Sequence, residues 1–120
     1  MHGNILTVGL QSLFLDSLTN ILKAENINVI SSPSLDIAGW LLAHRRFLVA
    51  LIDLEHFSNM TATFLYEVKK QPVHIIVVGR AGFQYSWPVE READLFLSYE
   101  TSIPQLAAYI TRELSPSKNH

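Results

Sequence analysis

Cysteine is absent from the chain. Disulfides, thiolate metal sites and cysteine nucleophiles are excluded with it, and the absence fits a cytoplasmic protein. Long apolar runs are missing too. The longest, Phe47 to Ile52 and Ile75 to Val78, fall far below the ~20 residues that cross a bilayer as a helix, so no membrane partner is expected. The start, Met1-His2-Gly3-Asn4, lacks the basic and apolar regions of a secretory signal. Charge is modest and balanced, with a formal net charge of −2. The Lys and Arg residues are scattered, and only Arg45-Arg46 and Lys69-Lys70 are adjacent. Such pairs read as solvated helix ends, and no direct nucleic-acid contact is expected. No glycine-rich phosphate loop, G-x-S-x-G elbow or histidine pair at metal-ligand spacing occurs. Neither an enzyme nor a cofactor or metal centre is expected.

What remains is an ordinary globular composition, 48% hydrophobic over 120 residues. That length suits one domain with a real core. The domain is expected over residues 1–114, with 115–120 as a tail or the start of a linker. Apolar runs at Ile5 to Val8, Asn28 to Ser31, Phe47 to Ile52, His74 to Val78 and Asp94 to Leu97 read as strands. Most lack in/out alternation, which places them in a parallel sheet covered on both faces. Helical stripes lie between them. Phe14, Leu18, Ile21 and Leu22 mark one over about 12–25. Leu35, Ala38, Leu41 and Leu42 mark another over about 34–46, with Ser34 as N-cap. Phe64, Leu65 and Val68 mark a third over about 61–70. Ile103, Leu106, Ala107, Ile110 and Leu114 mark the last, with Pro104 in its first turn. The stretch from Arg80 to Ala93 has only weak helical period and reads as a loop with at most a short helix. The expectation is an α/β fold, a doubly wound five-stranded parallel sheet of order 2-1-3-4-5 with a shortened or irregular fourth helix.

In such sheets chemistry sits at the carboxyl ends of the strands. Asp53 ends the third run and is the most suggestive residue, as nucleophile, metal ligand or cap. Gly9 follows the first strand and Gly79 the fourth, where each opens a loop or lets a ligand approach the backbone. His56 reads as an exposed loop residue.

The opening Ile5-Leu6-Thr7-Val8-Gly9-Leu10-Gln11-Ser12-Leu13-Phe14 resembles the first motif of response-regulator receiver domains, notably the NarL/FixJ type. Ala50-Leu51-Ile52-Asp53-Leu54 resembles their phosphoacceptor segment. The resemblance implies a flavodoxin/receiver-like fold with Asp53 in the acceptor position. It also shows what is missing. Gly9 and Leu10 stand where receivers carry the acidic pair that holds Mg²⁺. Gly79 stands at their Thr/Ser, and Ser98-Tyr99 at their Lys-Pro. Losses of this kind resemble the pseudo-receivers, including those of cyanobacterial clock proteins, in which the fold serves contacts.

The reading is therefore a non-catalytic signalling module acting through protein–protein interaction, with Asp53 vestigial. Its partner would be another protein or its own output domain. A homodimer through the face of the fourth helix, fifth strand and last helix is one form of it. Phe83, Tyr85 and Trp87, joined by Tyr99 and Trp40, are the candidate interaction surface, since rigid aromatics anchor interfaces. The aromatics of the loop equally suit a lid folded back on the domain, and Trp40 a place at the core's edge. Two alternatives stand beside this: an atypical phosphorylatable receiver with Asp53 as acceptor, and a small-ligand binder of flavodoxin-like architecture.

Overall fold

The computed structural model describes residues 3–53, 68, 70–80 and 93–114. Five parallel strands, β1 (Gly3–Val8), β2 (Ile27–Ser32), β3 (Val49–Asp53), β4 (His74–Gly79) and β5 (Leu95–Ser98), form one sheet of order β2-β1-β3-β4-β5. Three helices accompany them: α1 (Ser12–Lys23), α2 (Leu35–His44) and α3 (Ile103–Leu114). This is the doubly wound sheet expected from the alternation of apolar runs and helical stripes. The third helical stripe lies outside the described residues except for Val68, which is buried. The segment expected to form a shortened or irregular fourth helix, with Phe83, Tyr85 and Trp87, lies outside them as well, as do His56 and residues 115–120, expected as a tail.

The side chains of each strand alternate between two faces. Leu6, Val8, Ile52, Ile75 and Val77 pack with Leu35, Ala38 and Leu42 of α2. Ile5, Val49, Leu51, Ile76 and Val78 pack with Leu18 and Leu22 of α1 and Leu106, Ala107 and Ile110 of α3. Helices thus cover both faces, and the central β3 is buried throughout. The edge strands β2 and β5 are only partly buried.

Local signals set the helix limits. Ser34 caps α2 by accepting a hydrogen bond from the Ile37 amide at 3.2 Å. Ser102 does the same for α3, accepting from the Gln105 amide at 3.2 Å. The first helix ends at Lys23, two residues before the expected limit, and Asn26 turns the chain into β2 at φ 63°, a conformation that asparagine tolerates better than most residues. Ile21, expected in the buried stripe of α1, lies on its flank and is exposed, because the stripe follows Phe14, Leu18 and Leu22. α2 stops at His44, and Arg45 is already extended, so Arg45 and Arg46 lie beyond the helix.

One polar group sits badly in this core. Thr7 is 1% exposed, and its hydroxyl has no hydrogen-bond partner among the described residues. A buried, unsatisfied hydroxyl is a net cost. Thr7→Val keeps the shape and removes the hydroxyl, so it should stabilise the protein by about 1 kcal/mol. Urea unfolding of the two proteins measures this, and a loss of stability would contradict it.

Candidate functional site

The carboxyl edge of the sheet is assembled by register. Val8 of β1 lies opposite Ile52 of β3, so Gly9 follows beside Asp53. Asp53 is paired with Val78, and Gly79 with Ser98. Gly9 has φ 76°, and its amide donates to the Ser32 carbonyl at 3.4 Å. That left-handed turn sends the chain off β1 into α1 and suits glycine above other residues.

Asp53 is 4% exposed, one of three buried polar side chains among the described residues. Its Oδ1 accepts a hydrogen bond from the hydroxyl of Tyr99. The two residues stand on either side of β4, about 10 Å apart by strand spacing. The Tyr99 side chain therefore passes the end of β4, where Gly79 has no side chain to obstruct it. The Tyr99 amide also donates to the Gly79 carbonyl at 3.0 Å, which fixes the start of its reach. A phenol is a neutral donor. It satisfies a carboxylate oxygen without supplying the positive charge of a lysine.

The structure thus places Tyr99 in two roles at once. Its hydroxyl is directed to Asp53, while the residue remains 38% exposed. Trp40 is 59% exposed on α2 and lies on the α2 side of the sheet, away from Tyr99. Its ring stacks on that of His44 with centroids 4.3 Å apart. The structure therefore does not bring Trp40 and Tyr99 into one surface. Phe83, Tyr85 and Trp87 lie outside the described residues.

The tyrosine contact was not anticipated from the residues. The only sequence signal was negative, a tyrosine in the Ser98-Tyr99 pair where receivers have Lys-Pro. Asp94 was read as a strand residue, yet it precedes β5. Its Oδ2 accepts from the Ile75 amide at 2.7 Å, which ties the amino end of β5 to β4. No group of three or more His, Cys, Asp or Glu able to hold a metal occurs among the described residues. No helix among them is long and apolar enough to cross a membrane.

No family model and no curated protein matches the chain. Solved structures do. A CheY-like receiver domain from Methanospirillum hungatei superposes with a TM-score of 0.79 at 20% identity, covering 99% of this chain and 98% of that one. The signal receiver domain of a putative LuxO repressor from Vibrio parahaemolyticus gives 0.80 at 14% identity, covering 99% and 95%. An orphan response regulator from H. pylori gives 0.77 at 16% identity, covering 94% and 97%. The superpositions span nearly the whole chain, and with the strand order β2-β1-β3-β4-β5 they show that it has the fold of a response-regulator receiver domain.

Proposed function

We propose that the chain is a regulatory module that works through protein–protein contact and carries out no phosphoryl transfer. The observation that carries this reading is the hydrogen bond from the Tyr99 hydroxyl to the buried Asp53. Phosphoryl transfer to a carboxylate crowds negative charge together, and Mg²⁺ or a cationic side chain must offset it. Mg²⁺ requires several oxygen ligands in octahedral array. Gly9 and Leu10, which follow β1 beside Asp53, have no side-chain oxygen. Among the described residues at this edge, the side chains do not fit the ion. Ser98, the last residue of β5, and Tyr99 after it carry no positive charge.

A fold kept without its chemistry is of use as a surface. The face proposed for contact is that of β5, α3 and the exposed Tyr99, and Phe83, Tyr85 and Trp87 are proposed to belong to it. Its partner is another protein, the chain's own output domain or a second copy. The reading is tested with beryllofluoride, a mimic of an aspartyl phosphate. Amide NMR spectra recorded with Mg²⁺ and beryllofluoride should match the spectrum without them. Shifts centred on Asp53 would overturn the proposal.

A further inference from the structure

The amino edge of the sheet, opposite Asp53, carries an open groove of about 310 Å³. One wall is the segment between α2 and β3, and the other is the approach to β4 around Pro72. Backbone hydrogen bonds pin both walls. The Leu48 amide donates to the Asn4 carbonyl at 3.1 Å, and the His74 amide donates to the Leu48 carbonyl at 2.9 Å. The groove is therefore built into the sheet's edge.

Its composition is uneven. Leu42 and Phe47, 4% and 3% exposed, anchor its apolar part in the core. His44, Arg45 and Arg46 line it as well, and all three are exposed. No acidic side chain is among its described lining residues, although the chain as a whole has net charge −2. The local balance is thus opposite to the global one. Beside His44 stands Trp40. The His44 Nδ1–H donates to the Trp40 carbonyl at 2.8 Å, and the two rings stack. This holds a large aromatic surface in place before any partner arrives, which lowers the ordering cost of binding. Tryptophan and arginine are also the residue types that dominate binding energy at interfaces.

We propose that this groove binds an acidic peptide segment of a partner protein. One apolar side chain of the peptide enters above Leu42 and Phe47, its carboxylates face Arg45 and Arg46, and Trp40 covers it from the side. The proposal rests on the reading of the chain as a contact module and gives it a second, chemically defined surface. An acidic peptide is favoured by charge complementarity, because the guanidinium groups offer paired donors for carboxylates.

The test is selection of short random peptides, displayed on phage, against the full chain. The selected peptides should combine Asp or Glu with one apolar residue. They should bind the Arg45→Glu/Arg46→Glu variant roughly tenfold more weakly or worse, as expected when paired charges become repulsive. Trp40→Ala should weaken them several-fold, and Asp53→Asn should leave them unaffected. Arg45, Arg46 and Trp40 are exposed and Asp53 is buried, and circular dichroism checks that each variant folds. The proposal is overturned if no peptide is selected, if the peptides are neutral or basic, or if their binding ignores the arginine reversal. It is also overturned if the chain self-associates and Trp40→Ala abolishes that association, since the occupant would then be a second copy. A response to beryllofluoride at Asp53 would defeat the contact-only reading. It would leave the peptide result at the opposite edge to be judged separately.

Discussion

Truncation of Ile110 to alanine is expected to cost about 3 kcal/mol of stability, within the range for fully buried large-to-small changes. Ile110 is 0% exposed and belongs to the cluster in which α3 packs against the sheet and against α1. Its neighbours there include Leu18, Leu22, Ile76 and Leu106, which come from α1, β4 and α3. Removing its outer methyl and methylene groups leaves a cavity bounded by three elements. None of them can close it without disturbing its other contacts. For a domain of this length the loss lowers the melting temperature by roughly 10 °C. Leu13→Ala is the control. Leu13 is apolar, helical and 84% exposed, and its truncation should change stability by less than about 0.5 kcal/mol. Thermal and urea unfolding measure both. Equal losses at the two positions would contradict the packing of α3 described here.

Tyr99→Phe is expected to destabilise the protein by about 2 kcal/mol, since hydrogen bonds to charged groups contribute roughly 1.5–3 kcal/mol. The substitution keeps the ring and removes the hydroxyl that donates to Asp53. That carboxylate is buried and loses a donor without gaining water in compensation. Because the ring also packs, the contribution of the bond has to be separated from it. A double-mutant cycle with Asp53→Ala does so. In the Asp53→Ala background Tyr99→Phe should cost only a few tenths of a kcal/mol. A similar cost in both backgrounds would assign the effect to the ring, and the bond would then contribute little.

These two positions also mark where the residues speak for themselves and where they do not. The stripe containing Ile110 was legible because α3 is amphipathic with one clear face, and a helix of that kind has one way to lie on a sheet. The strands were legible as short apolar runs, and with five parallel strands the handedness of the crossovers left few orders to choose from. Limits were less clear. β5 starts after Asp94 because that carboxylate is spent on the Ile75 amide, and nothing in the local pattern distinguishes such a use. α2 has apolar residues around most of its circumference, including Ile37, Trp40 and Leu41. The stripe read from the spacing nevertheless held: the core took Leu35, Ala38 and Leu42, with Leu41 partly buried against them. Trp40 was left outside.

At the carboxyl edge, Asp53 stood out because a single carboxylate ends a buried run. Its partner did not. Tyr99 is 46 residues away, and their contact depends on sheet order, register and the reach of a side chain past Gly79. Only the first of these was readable beforehand. The groove at the opposite edge was hidden for a similar reason. Arg45 and Arg46 read as solvated ends of a helix, and only the turn of the chain after His44 brings them beside Phe47 and Pro72.

The measurement that tests the central claim most directly is the amide NMR spectrum of the intact chain titrated with Mg²⁺ and beryllofluoride, with Tyr99→Phe run beside it. The account predicts unchanged spectra for both proteins, because removing the tyrosine hydroxyl leaves Gly9 and Leu10 as poor a metal site as before. Saturable shifts at Asp53, Gly79 and Ser98 in the unaltered chain, lost in Asp53→Asn, would contradict it and make the domain a working phosphoacceptor.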